Sequence, residues 1–78
     1  MVKAYVLMEV EGREPSLIAK DLTNIEEVEN VNIINGDYDV IALVKSRSLI
    51  DLKELALTKI GKIRGVTRTN TLIIADQD

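Results

Sequence analysis

Two carboxylates next to a glycine turn are the side chains of this sequence best placed to do chemistry. Asp37 and Asp39 follow Asn35-Gly36, and alternation along an extended chain puts both carboxylates on one side. Such a pair could act as acid and base, or hold an ammonium group while backbone N–H groups of the turn receive a carboxylate. Together these groups suit an amino-acid zwitterion. Acidic residues beside an Asn-Gly turn also commonly serve only to shape it, so the residues alone leave a structural role open.

Residue types that most catalytic sites need are absent from the sequence. It contains no cysteine and no histidine, which excludes the usual pairs of nucleophile and base and the common zinc, iron and copper ligand sets. The four glycines are scattered along the chain and form no phosphate-binding loop. We therefore expect no catalytic residue, no metal and no cofactor.

Charge and hydropathy narrow the range of partners. The formal net charge of −3 argues against a protein that binds the phosphate backbone of nucleic acids, which normally needs a basic face. Sheets that bind RNA stack bases on aromatic side chains, and only Tyr5 and Tyr38 are available. No apolar stretch has the length of a membrane span or the order of a signal peptide. We expect a cytoplasmic protein that contacts neither nucleic acid nor a membrane directly.

Hydrophobic periodicity predicts the elements that must position the turn. With 78 residues, the chain has room for one domain, 1–78, and for no second core. The predicted strands are 2–10, one around 31–34, one from about Tyr38 to Lys45, and one from Val66 to about Ala75, which precedes the polar tail Asp76-Gln77-Asp78. The first predicted helix lies between the first two strands and carries the apolar stripe Leu17, Ile18, Leu22 and Ile25. The second lies between the last two strands, is capped by Ser46 or Ser48, and carries the stripe Leu49, Leu52, Ala56 and Ile60.

The order of these elements predicts an α+β fold. A βαββαβ sequence closes as a ferredoxin-like, four-stranded antiparallel sheet with two helices on one face. The other face then has no cover, although Tyr5, Leu7, Ile41 and Leu43 or their neighbours must lie on it. An apolar patch of this kind is unusual on a soluble monomer, so we expect two copies to dimerise face to face through their sheets.

Alternating threonines mark the last predicted strand. Thr67, Thr69 and Thr71 would line up on one face, followed on that face by Ile73. Threonine is also an ordinary strand residue, because β-branched side chains suit strands whatever their function. Both interpretations stay open at this point.

Two motifs around the second helix resemble a known family. The chain carries Gly36-Asp37-Tyr38-Asp39 before an apolar strand and, after the helix, Ile63-Arg64-Gly65-Val66 and Thr69-Asn70-Thr71. In this topology and at this separation, the motifs resemble those of the effector-binding domain of Lrp/AsnC transcriptional regulators, also called the RAM domain. The resemblance covers essentially the whole chain.

The resemblance implies a function and a site. It implies a ferredoxin-like domain that dimerises through its sheets, joins further into rings such as octamers, and binds an amino-acid effector between dimers. Carried over by motif position, the ligand-binding residues are Asn35, Gly36, Asp37, Tyr38, Asp39, Thr69, Thr71 and Ile73. Full-length members place a helix-turn-helix domain before the first strand, whereas this chain begins at that strand. It therefore looks like a stand-alone module that assembles with itself or with full-length Lrp/AsnC regulators. The alternatives are a small dimeric α+β barrel enzyme and a purely structural assembly module.

Overall fold

Four antiparallel strands form one sheet, and the helices cover one of its faces. The computed structural model describes residues 1–75, so the predicted tail Asp76-Gln77-Asp78 lies outside the described residues. The sheet order is β2-β3-β1-β4, which confirms the predicted ferredoxin-like α+β fold. In chain order the elements are β1 (Val2–Val10), α1 (Pro15–Leu22), β2 (Val28–Ile33), β3 (Val40–Ser46), α2 (Leu49–Glu54), a π-helical segment (Leu55–Ile60) that continues α2, and β4 (Val66–Ile73).

The core lies between the helices and the two central strands. Every second residue of β1 and β3 points toward the helices, and these side chains are almost fully buried except at the two ends of β1. Burying a valine or methionine side chain contributes about 1.5–3 kcal/mol to the free energy of folding. The alternation of apolar residues therefore fixes which face of each strand turns inward. The core consists of Ala4, Val6, Met8, Ile18, Leu22, Val40, Ala42, Val44, Leu52, Leu55 and Ile60.

The second helix departs from the predicted α-helical stripe. It begins as expected at Ser48, whose hydroxyl accepts a hydrogen bond from the Asp51 N–H at 3.1 Å. From Leu55 onward the helix widens into π geometry, and the Gly61 N–H donates to the carbonyl oxygen five residues earlier at 2.8 Å. The wider turn brings Leu55 and Ile60, five residues apart, onto the same buried side. Leu49, predicted to lie on the buried stripe, is 44% exposed instead.

Strand boundaries also differ slightly from the prediction. The third strand begins at Val40 and not at Tyr38, and β4 ends at Ile73 and not at Ala75. A further irregularity lies between β1 and β4, where the register shifts between Glu9 and Val10. Bulges of this kind place an extra residue in one strand and disrupt the alternation of its side chains.

A crowded glycine sets the start of β4. Gly65 has φ of +100°, a conformation that side chains other than glycine rarely adopt. A Cβ there would lie 2.8 Å from Cβ of Arg13 and 3.1 Å from Cδ1 of Ile18. The Arg13 guanidinium donates to the Arg64 carbonyl oxygen at 3.0 Å and to Asp21 at 2.7 Å. The segment before β4 is therefore held against the β1–α1 connection by close packing as well as by hydrogen bonds.

We expect Gly65→Ala to destabilise the fold by about 2–3 kcal/mol, because it combines backbone strain with a clash against Arg13. The matched control is Gly12→Ala, since Gly12 also has positive φ, +72°, but has no atom within 4 Å of a built Cβ. The control is expected to cost about 1 kcal/mol, the strain alone. Thermal unfolding measures both, at about 4–8 °C per kcal/mol for a domain of this size. Equal losses in the two variants would contradict the packing argument.

Candidate functional site

The loop between β2 and β3 carries five of the predicted site residues. A hydrogen bond of 2.9 Å from the Ile34 N–H to the Asp39 carbonyl oxygen closes the loop, which leaves residues 35–38 outside the sheet. Gly36 has φ of +157°, and no atom lies within 4 Å of the position of a Cβ. Its backbone conformation, and not crowding, is what favours glycine there. The reversal is thus wider than a two-residue Asn-Gly turn.

Asp39 is bound to its surroundings by three hydrogen bonds. Its N–H donates to the Met8 carbonyl oxygen at 2.9 Å, and its carbonyl oxygen accepts from Ile34. Its carboxylate oxygen Oδ2 accepts from the Val10 N–H at 2.7 Å, in a partly buried setting. The short distance is typical of a charge-assisted hydrogen bond. Asp39 therefore anchors the loop on the end of β1.

The rest of the loop is polar and open. Asp37 is exposed, and its carboxylate has no hydrogen bond or ion pair with any residue between 1 and 75. Backbone N–H and C=O groups of residues 35–38 likewise make no hydrogen bond within the described part of the chain. Tyr38 is half-buried beside them. These groups are available to bind a molecule that carries both an anionic and a cationic end.

The predicted residues of the last strand lie on the side of the sheet that carries the helices. Thr69, Thr71 and Ile73 are paired with Met8, Val6 and Ala4 of β1, which all point into the core. Because β4 is an edge strand, its residues are less covered, and Ile73 is 44% exposed. The expected alignment of Thr67 with these residues is interrupted by the bulge, and its hydroxyl instead donates to the Glu9 carbonyl oxygen at 3.3 Å.

One copy of the chain brings only part of the predicted site together. The loop 35–39 and Thr69 lie at the same end of the sheet, separated by β1, so two strand spacings of about 5 Å lie between them. Ile73 lies four residues further along β4, a distance of about 13 Å. Thr71 lies between Thr69 and Ile73 on β4. Within residues 1–75, the eight residues are therefore spread over two regions of the sheet.

A cleft lies at the opposite end of the sheet from the loop. It has a volume of about 460 Å³ and is lined by the end of β3, the second helix and the residues before β2, among them Ser46, Leu55 and Thr58. Two ion pairs lie on its wall, Lys59 with Glu27 at 3.2 Å and Arg47 with Asp51 at 3.9 Å. Hydrogen bonds from its own backbone N–H and from Lys59 lower the pKa of Glu27. This cleft contains none of the predicted site residues, and no sequence signal pointed to it.

The face of the sheet without helices carries a compact apolar patch. Tyr5, Leu7, Ile41 and Leu43 all lie on this open face, as the alternation predicted. Leu72 of β4, which sequence reasoning missed, lies opposite Tyr5 and is 49% exposed. Its position followed from the alternation that places Thr71 on the other face. An apolar patch of this kind is typical of a surface that binds another protein.

Ion pairs border the open face at both ends. Glu29 bridges Lys3 at 3.3 Å and Lys45 at 3.2 Å on one side, and Arg68 pairs with Glu9 at 3.5 Å on the other. The hydrogen bond from Lys45, followed by that from Lys3, pulls the pKa of Glu29 below its ordinary value of 4.5. An apolar centre with a charged border is the usual composition of a protein–protein interface.

Membrane and metal sites receive no support from the described residues. Among the helices of residues 1–75, none has the length and apolar character that crossing a bilayer requires. Over the same range, no three acidic side chains are grouped closely enough to hold a metal ion.

Comparison with known proteins identifies similar sequences. Residues 3–77 match the family described as the Lrp/AsnC ligand binding domain. An uncharacterized HTH-type transcriptional regulator of Pyrococcus furiosus is 33% identical over 73 residues, which is 94% of this chain and 49% of that protein. The chain thus spans about half the length of the curated relative it matches.

Solved structures with the same fold include both short and long chains. The crystal structure of FFRP-DM1 has 30% identity and a TM-score of 0.88, with 95% of this chain and 99% of that chain covered. The feast or famine regulatory protein Rv3291c from M. tuberculosis, solved in complex with L-methionine, has 28% identity and a TM-score of 0.85. That structural match covers 99% of this chain and 52% of the M. tuberculosis chain.

The Glu29 bridge predicts a pH-dependent stability. Because its pKa is lowered on folding, ionised Glu29 contributes stability above its unfolded pKa of about 4.5, and the contribution is lost as the pH falls through the lower folded value. We expect Glu29→Gln to lower the melting temperature at pH 7 and the difference from wild type to shrink toward pH 3. Melting curves across this range test it. Glu26→Gln, at an exposed glutamate without an ion pair among residues 1–75, is the control. A constant difference at all pH values would contradict the role of the charge.

Proposed function

This chain belongs to the Lrp/AsnC ligand binding domain family, and we propose on that premise that it binds an amino-acid effector and assembles with further copies of itself. The observation that carries the proposal is the β2–β3 loop, where the Asp37 carboxylate and the backbone groups of residues 35–38 make no hydrogen bond with any residue from 1 to 75. The ammonium group of an amino acid fits the carboxylate, and its own carboxylate fits free N–H groups. Neither interaction requires a metal or a cofactor.

In this proposal the binding site consists of the residues that the family motifs mark. They are Asn35, Gly36, Asp37, Tyr38, Asp39, Thr69, Thr71 and Ile73. Because these residues are spread over two regions of the sheet within one chain, we propose that a neighbouring copy completes the site. The effector is then bound between copies, and its binding depends on their arrangement.

The open face is the surface through which we propose that two copies dimerise. Its apolar centre would be removed from water, and each buried Å² of apolar surface contributes about 25 cal/mol. Tyr5 and Leu72 are the most exposed members of this patch, at 41% and 49%. The border charges stay close to solvent, where they favour one orientation of the partner. Such dimers would then join into a higher ring such as an octamer.

A role in the regulation of transcription agrees with the relatives. The P. furiosus relative is named as an HTH-type transcriptional regulator, and this chain matches about half of it. FFRP-DM1, a solved chain of nearly equal extent, has the same fold. We propose that it acts in the cytoplasm, by assembling with itself or with full-length regulators, and that it makes no direct contact with DNA.

Catalysis is the less favoured alternative. The related proteins are described as regulators, and the loop carboxylates have no histidine or cysteine to work with. A purely structural assembly module shares the open face but needs no ligand. A measurement of ligand binding and a measurement of assembly separate the effector-binding module from the purely structural one, because only the first of these modules needs a ligand.

Effector binding is tested by a thermal-shift panel of the twenty amino acids, with L-methionine included. A ligand that binds only the folded state adds about 2.7 kcal/mol of stability at a hundredfold excess over its Kd, so the melting temperature rises. Gly36→Ala is expected to reduce that rise, since it changes the backbone that presents residues 35–38. Gly12→Ala, the matched glycine in another exposed loop, is expected to keep it. No shift with any amino acid would favour the purely structural module.

Assembly through the open face is tested by light scattering on Tyr5→Lys. We expect the wild-type chain to be at least dimeric and the variant to shift toward the monomer, because a buried unpaired ammonium group opposes association. Ile50→Lys is the control, since Ile50 is 74% exposed on the outer side of α2. A Tyr5→Lys variant that remains dimeric would show that copies associate through another surface.

A further inference from the structure

The two acidic residues of the loop stand in different surroundings. Asp39 uses its N–H, its carbonyl oxygen and one carboxylate oxygen in hydrogen bonds to three other residues. Asp37 is exposed and makes no side-chain contact of this kind with residues 1–75. From the sequence, either carboxylate could hold an ammonium group. In the structure they differ, because within residues 1–75 the carboxylate of Asp39 accepts a hydrogen bond and that of Asp37 does not.

The bond between Asp39 and Val10 is placed where the sheet lacks a regular partner. The β1–β3 ladder ends at the pair Met8–Val40, so the Val10 N–H, which points to the same side two residues further on, has no residue of β3 opposite it. The Asp39 carboxylate supplies an acceptor to the Val10 N–H at this point. A ligand ammonium that took the same oxygen would leave a partly buried N–H without an acceptor, which is costly.

The neighbouring residue connects the same strand end to the second motif. The Glu11 N–H donates to the Gly65 carbonyl oxygen at 2.9 Å, one residue after the Val10 N–H donates to Asp39. The last N–H group of β1 and the N–H group that follows it therefore bind the loop before β3 and the segment before β4. Asp39 fixes where the loop lies relative to the strand that carries Thr69.

We infer that Asp39 is a positioning residue of the effector site and that Asp37 is the carboxylate that contacts the ammonium group. The inference rests on the proposed binding of an amino acid. Asp39 holds residues 35–38 in place through Val10, and its neutral isostere asparagine can accept the same hydrogen bond. Asp37 acts through its charge, which asparagine lacks.

The test compares Asp37→Asn, Asp39→Asn and Asp39→Ala with wild type by two measurements. Calorimetry gives the Kd for each of the twenty amino acids, L-methionine included, and hydrogen exchange reports the protection of the Val10 amide in the free protein. Asp37→Asn should raise Kd about tenfold or more, the usual effect of losing a hydrogen bond to a charged group, and leave Val10 protected. Glu26→Gln, an exposed carboxylate at the other end of the sheet, is the matched control for loss of charge.

The Asp39 variants separate geometry from charge. Asp39→Ala should raise both Kd and the exchange rate of the Val10 amide, and Asp39→Asn should rescue both. An Asp39→Asn variant that protects Val10 but binds as weakly as Asp39→Ala would overturn the inference, because the charge itself would then be needed. Unchanged affinity in Asp37→Asn would overturn it as well.

A wild-type protein that binds no amino acid would refute the proposed function and, with it, the assigned contact of Asp37. The positioning role would still be decided, since exchange at Val10 in the free Asp39 variants needs no ligand. Faster exchange in Asp39→Ala, reversed in Asp39→Asn, would support it. Equal protection in all variants would refute it. If Asp39→Ala does not fold, Asp39→Leu, which keeps the shape of the side chain but has no acceptor, provides the same comparison.

Discussion

Burial of one face of the two central strands is the constraint on which the other features depend. Val6 and Met8 of β1 and Val40 and Ala42 of β3 are enclosed by the helices, with exposures of 1% or less. A slip of one residue in either strand would send this whole set to the other face. The register that follows places Tyr5 with its apolar neighbours on the open face. It also places Asp39 beside the end of β1.

The end of β1 is where the loops of this domain meet. Val10 binds Asp39 of the β2–β3 loop, and Glu11 binds Gly65 of the segment before β4. Arg13 extends the connection by donating to the Arg64 carbonyl oxygen. Two motifs that are distant in the sequence are thereby joined through the last residue of β1 and the residue after it. Their conformations depend on each other because they share this support.

Sequence patterns predicted the features that repeat and missed those that depend on a single contact. The bounds of β1 and the members of the open face follow from alternation, which burial enforces at every second residue. Leu55 could not be placed, because the π-helical turn that buries it breaks the helical period. Thr67 was misaligned by a bulge that leaves no mark in composition. Asp37 and Asp39 could not be distinguished, because the partner that sets Asp39 apart, Val10, is 29 residues away.

The same strand serves both proposed activities, and this provides a physical route between them. Outward side chains of β1, Tyr5 and Leu7, form the centre of the open face, while the last backbone N–H of the strand holds the loop. A ligand changes assembly only by binding one assembled state better than another. If a neighbouring copy completes the site, as proposed, the affinity for the effector differs between the free and the assembled copy. In the proposed role, effector binding and assembly are therefore thermodynamically linked, and β1 is the element that contributes to both the site and the open face.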